Sequence, residues 1–255
     1  MQVKRWLIFS LVFFLPFIVK AETEELEKVA ETVKYYKTVI ILSNSEVMRS
    51  ANLGEVSSIT TEITEEEYNN VDTSTVNNDN ARGLISETIE TTYKKLATTM
   101  YYNYGDYRYR ATLDWKLIPS TRSYDIIGIG HYATVKLLGN IDFNQIYCRS
   151  SSECYDSTSY IGLSFTNGGA AIFKIPSGTV KSLKQILEFD VEKTNSSATI
   201  TQQLAVGDYA HATSSISETN ARKFYVDCGG INLQSSIEDY YDDIATADAT
   251  WTGTW

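Results

Sequence analysis

From Tyr107 to Leu117 the chain alternates without a break, setting Tyr107, Tyr109, Ala111, Leu113, Trp115 and Leu117 against Arg108, Arg110, Thr112, Asp114 and Lys116. A period of two is the pattern of a β-strand with one face buried and one wet. The apolar face carries three large aromatic rings, so a second layer must cover it. Just upstream, Asn103-Tyr104-Gly105-Asp106 supplies a tight turn, which predicts that Thr91 to Tyr102 folds back as an antiparallel partner.

The rest of the chain repeats this theme. Thr38 to Leu42, Ser57 to Ile63, Asp142 to Cys148, Tyr160 to Thr166, Ala170 to Ile175, Leu187 to Val191 and Lys223 to Cys228 read as strands. Leu84 to Leu96 fits a helical face as well, but its threonines and the adjoining tyrosines favour a strand. Tyr124 to Leu138 reads as one long strand bent at Gly128 and Gly130. A hairpin is expected at Asn167-Gly168-Gly169, and another around Gly207-Asp208. Two helical segments are expected. Leu26, Val29, Ala30, Val33 and Tyr36 have helical spacing within Glu22 to Tyr36, and Thr64-Glu65-Glu66-Glu67 has the form of a capping box. Asp239 to Asp243 and the tail from Trp251 to Trp255 read as irregular, although the tail could add an edge strand. The expected architecture is all-β, an antiparallel sandwich of two packed sheets and roughly ten strands with a short N-terminal helix.

Lys4 and Arg5 precede an apolar run, Trp6 to Val19, followed by Val19-Lys20-Ala21. This is the form of a secretory signal peptide cleaved after Ala21. The run is shorter than the ~20 residues that cross a bilayer, and Ser10 and Pro16 interrupt it. Residues 22–255 are then expected to form one secreted β-rich domain outside the cell, with no stable membrane span. Cleavage removes Lys4, Arg5 and Lys20 and no acid, taking the net charge from −10 to −13. Such a chain repels nucleic acid, which is not expected as a partner.

An oxidising compartment gives the three cysteines after the signal their meaning. Cys148 and Cys154 are expected to pair across a short polar loop. Cys228 is then a free thiol, expected to be buried or used between chains.

No motif specifies chemistry. Gly128-Ile-Gly130-His-Tyr-Ala133 matches a dinucleotide fingerprint in letters, but a β-branched run without a cap follows where a helix must begin. His131 and His211 sit in strand-like sequence with no nucleophile elbow nearby, so no catalytic residue is assigned. Asp239, Asp242 and Asp243 offer oxygen ligands without any calcium-loop spacing, and they read as a solvated acidic turn. Neither a metal nor a cofactor is expected. Asn195-Ser196-Ser197 has the letters of a glycosylation sequon.

The chain has 18 Tyr against 9 Phe. Alternation assigns Tyr107, Tyr109 and Trp115 to the core, leaving Tyr101, Tyr102 and Tyr104 near the turn as candidate ligand-binding residues. The expected function is non-catalytic binding or adhesion outside the cell, with a glycan or a protein surface as partner. Two other classes compete. One is a secreted hydrolase whose site is assembled from separated residues. The other is a pore-forming β-protein in which Ser57 to Thr99 inserts.

Overall fold

The computed structural model describes residues 26–43, 56–72, 87–103, 105–157 and 160–255. The expected signal segment and Tyr104 lie outside the described residues. In chain order the strands are β1 (Glu27–Ser43), β2 (Val56–Ile63), β3 (Glu87–Asn103), β4 (Asp106–Leu117), β5 (Tyr124–His131), β6 (Val135–Cys148) and β7 (Cys154–Ser157). There follow β8 (Tyr160–Phe165), β9 (Gly168–Lys174), β10 (Ser182–Lys193), β11 (Gln202–Ala210), β12 (Phe224–Asp227), β13 (Gly230–Leu233) and β14 (Ala245–Thr252). Two short helices, α1 (Glu65–Asn70) and α2 (Glu218–Ala221), lie between strands.

The fold is all-β, with two packed antiparallel sheets. The first runs β2-β1-β3-β4-β10-β6-β7, the second β14-β11-β5-β9-β8, and β12 with β13 makes a separate hairpin. The alternation of β4 is realised residue by residue: Tyr107, Tyr109, Ala111, Leu113 and Trp115 are at most 4% exposed. They meet Leu183, Leu187, Phe189 and Val191 of β10 and, across the sandwich, Ile127, Ile129, Phe173, Ala205 and Tyr209. Ala245, Ala247 and Ala249 of β14 also join this core.

The central strands of the second sheet, β5, β9 and β11, are buried on both faces. Its far side packs Ile126, Ile172 and Ala210 against Phe224, Val226 and Ile231 of the β12–β13 hairpin and against Ile216 and Tyr241. Burial on both faces explains why β5 and β9 read as continuous apolar runs rather than alternations.

Several expectations need correction. The helical spacing of Glu22 to Tyr36 does not become a helix; from Glu27 onward the chain is β1, paired with β3 from Glu27↔Tyr102 to Ser43↔Glu87. Val29, Thr32, Val33, Thr38, Val39 and Ile40 are β-branched, and a long partner strand rewards extension more than an isolated amphipathic helix could. Gly207-Asp208 is not a turn, because β11 runs straight through it between β5 and β14. A Cβ on Gly207 would lie 1.8 Å from Thr98 Oγ1, so glycine is there for the close approach of the two sheets. The Tyr124–Leu138 segment breaks after His131, and its halves, β5 and β6, enter different sheets. The C-terminal segment is ordered, and β14 is an edge strand beginning at Ala245.

Other expectations hold. Leu84 to Leu96 is strand from Glu87 onward, and Gly105, at φ 114, lies in the turn between β3 and β4. Thr64 and Glu67 form a reciprocal capping box on α1, with Glu67 N–H donating to Thr64 Oγ1 at 3.1 Å and Thr64 N–H to Glu67 Oε2 at 2.9 Å.

Candidate functional site

The β3–β4 hairpin delivers Tyr101 and Tyr102 to one end of the sandwich, but not to one face. In register, Tyr101 lies opposite Arg108 and Tyr102 opposite Tyr107. Successive residues of a strand point to opposite sides, so Tyr101 and Tyr102 diverge. Tyr101 lies on the outer face, where the Arg110 guanidinium sits 5.0 Å from its ring centre and donates to its hydroxyl at 3.3 Å. The arginines beside it are committed to acids: Arg108 grips Asp190 through two bonds of 2.7 and 2.9 Å, and Arg110 donates to Glu188 at 2.5 Å. Asp190 holds the Arg108 guanidinium above its usual pKa.

Tyr102 belongs to the inward face but emerges past the end of the core, 36% exposed. Its ring meets Tyr107 edge-on at 5.3 Å, and Tyr107 in turn contacts Trp251 at 5.2 Å and Trp255 at 4.7 Å. Trp255 is fixed as well: its indole N–H donates to Gly105 O at 2.5 Å, its backbone exchanges two bonds with Ile200, and Lys193 lies over its ring. Burial pushes the Tyr107 hydroxyl up to about 12. Aromatic contacts thus run from the core outward to Tyr102. Tyr104, the third candidate, lies outside the described residues.

At the other end of β4 a second constellation lies wholly inside the protein. Lys94 of β3 pairs with Asp242, and both side chains are 0% exposed. Asp242 also accepts the His211 backbone N–H at 2.7 Å. His211 Nδ1–H donates to Asp125 Oδ1 at 2.9 Å, and the same oxygen accepts Ala212 N–H at 3.1 Å. Asp125 Oδ2 accepts the Tyr209 hydroxyl, which in turn accepts Trp115 Nε1–H at 3.2 Å. The Lys94 ammonium lies 5.4 and 5.3 Å from the ring centres of Trp115 and Tyr209. Burial and Asp125 raise the Tyr209 hydroxyl far above its ordinary pKa. This network ties β3 and β4 of the first sheet to β5, β11 and the segment around Asp242 on the other side of the sandwich.

An Asp–His pair is the orienting half of an acid–base apparatus. Here the other ring nitrogen, His211 Nε2, is enclosed and meets no hydrogen-bond partner. His131 is separate: it is buried between Tyr109 and Phe189, bonds only the Tyr132 carbonyl, and has its pKa lowered by burial. The two histidines therefore share no site.

The acidic segment does not behave as a solvated turn throughout. Asp239 is exposed and Asp243 accepts the Thr60 N–H at 3.3 Å, while Asp242 turns inward to Lys94. Among the described residues no group of His, Cys, Asp or Glu converges to hold a metal ion, and no helix is long and apolar enough to cross a membrane. Cys148 and Cys154 form the expected disulfide, facing each other across β6 and β7. Cys228 is free but exposed, in the two-residue turn between β12 and β13, contrary to the expected burial.

Sequence reasoning missed the buried network, although it left one signal. Lys94 falls between Thr92 and Leu96 at inward positions of β3, and a charge on an inward position needs a partner. No known protein-family model matches the chain, and no curated protein matches it in sequence.

Proposed function

We propose that this chain is a secreted, non-catalytic binding protein that engages a glycan or protein surface through the aromatic end of its sandwich. The observation that carries this reading is the anchored exposure of Tyr102, a half-wet ring held from behind by Tyr107, itself packed on Trp251 and Trp255. An aromatic ring fixed before binding loses little entropy on contact and offers both an apolar face and a hydroxyl. Tyr101 flanks this surface on the outer face. The residues suited to acid–base work are walled in at the opposite end, which favours binding over catalysis.

The test is a glycan and cell-wall binding screen of residues 22–255 beside single Tyr101→Ala, Tyr102→Ala and Tyr104→Ala variants and the triple variant. Loss of binding in Tyr102→Ala, with a smaller loss in Tyr101→Ala, supports the reading. Unchanged binding in the triple variant removes the surface. A second reading, a hydrolase, draws on the Asp125–His211 pair alone. Turnover of ester or glycoside substrates that His211→Ala abolishes would put it first.

A further inference from the structure

Away from the aromatic end, the disulfide loop and the loops on either side of it enclose a cleft of about 300 Å³ lined by Arg122, Arg149, Lys174, Tyr147 and Ser177, among others. No acid lines it. In a chain of net charge −10, three cations converge here on one space without an acid between them. Arg108, Arg110, Lys136 and Lys184 find carboxylates, whereas Lys116 and Lys193 are held by backbone carbonyls. Among the described residues Arg122, Arg149 and Lys174 make no ion pair; Arg149 lies over the Tyr155 ring at 5.5 Å and Lys174 over Tyr124 at 4.4 Å. One terminal nitrogen of Arg122 is enclosed and meets no hydrogen-bond partner. Glu153, on the disulfide loop, accepts the Tyr155 hydroxyl instead.

The backbone under each cation is fixed. Arg122 sits between Thr121, whose hydroxyl donates to Thr213 O at 3.1 Å, and Ser123, whose carbonyl accepts Ile175 N–H at 2.9 Å. Arg149 follows Cys148 of the disulfide, and its N–H donates to Glu153 O at 2.9 Å. The carbonyl of Lys174 accepts Gln145 Nε2–H at 3.0 Å. Desolvation disfavours the charged Arg122 guanidinium. The charges of Glu90 and Asp125 offset this only in part, so a bound anion would reduce what remains of the desolvation cost.

We propose that this cleft is an anion site that takes the sulfate or phosphate group of a polyanionic glycan. Arg122 and Arg149 present planar forks suited to two oxygens of a tetrahedral group, and Lys174 adds a point charge. The site is distinct from the aromatic end, so each stands or falls alone.

The test is a titration of residues 22–255, isotopically labelled, with sodium sulfate, with sodium phosphate, and with a sulfated disaccharide against its unsulfated parent, all at constant ionic strength set with sodium chloride. Local NMR shifts at the three cations are read rather than melting temperature, because sulfate stabilises proteins generally by exclusion. Saturable shifts at Arg122, Arg149 and Lys174 are expected with the anions and the sulfated sugar, and absent with the parent. The arm that saturates at the lower concentration distinguishes sulfate from phosphate as the preferred group. Affinity should fall at least tenfold in Arg122→Gln/Arg149→Gln and stay unchanged in Lys136→Gln, an exposed cation outside the cleft. If circular dichroism shows that the Arg122 variant does not fold, Arg149→Gln/Lys174→Gln serves in its place. Unchanged affinity in a folded double variant, or linear shifts that chloride reproduces, would overturn the proposal.

Discussion

The two ends of β4 put the same kind of side chain to opposite use. At one end Tyr107 passes the core outward through Tyr102, with Trp251 and Trp255 bracing it. At the other, Trp115 donates to Tyr209 within an enclosed network that includes Lys94, Asp125, His211 and Asp242. The difference lies in what closes each end. Ala212 bridges to Tyr241, and Asp242 is drawn in beside His211, sealing the polar end, whereas the β3–β4 hairpin projects at the aromatic end. A buried aromatic with a polar tip specifies how the sheets dock, and an emergent one is free to meet a partner.

The sharpest way to break this contrast is to attack the sealed end. Lys94→Met should cost about 3–5 kcal/mol, because it leaves Asp242 as an unpaired buried carboxylate. Adding Asp242→Asn, which removes the charge and keeps an oxygen for the His211 N–H, should return much of that loss. Urea unfolding measures both, and a single variant of wild-type stability would show that water reaches this pair.

The next effect is set by pH. Asp208 faces away from the network, toward Ile231, whose N–H it accepts at 2.7 Å; burial raises its carboxyl from 3.8 to about 7. With the folded pKa above the unfolded one, its contribution to stability is complete below about pH 4 and lost as pH rises through 7. The shift corresponds to about 4 kcal/mol as an order of magnitude. Asp208→Asn should therefore gain stability relative to wild type as pH rises from 4 to 8; a constant difference across that range would contradict the raised pKa.

Smaller effects belong to the cysteines and the open end. Reducing Cys148–Cys154, a short closure with a sequence separation of 6, should cost about 2 kcal/mol and leave the sandwich folded. Cys228 should alkylate in the native state, as an exposed turn residue does, with peptide mapping recovering only the Cys148–Cys154 bridge. Tyr102→Ala should cost about 1 kcal/mol, the order of one edge-to-face aromatic contact, while removing binding.

The open end was legible in the sequence because alternation and a turn are local signals. The tyrosine pattern, the Gly105 turn and the disulfide spacing each lie within a few residues. The sealed end was not, since Lys94, Asp125, His211 and Asp242 come from four separate stretches and meet only once the sheets dock. Gly207 misled for a related reason: Gly-Asp is turn-like locally, but the residue answers to Thr98 across the sandwich. The N-terminal segment showed helical spacing locally, and only pairing with its distant partner β3 makes it a strand.

Hydroxyl-radical footprinting of residues 22–255, with and without the strongest binder from the screen, tests the division of β4 most directly. Tyr102 should be modified in the free protein and protected in the complex, with Trp115 and Tyr209 unmodified in both. Modification of Trp115 or Tyr209 in the free protein, or equal modification of Tyr102 in both states, would contradict it.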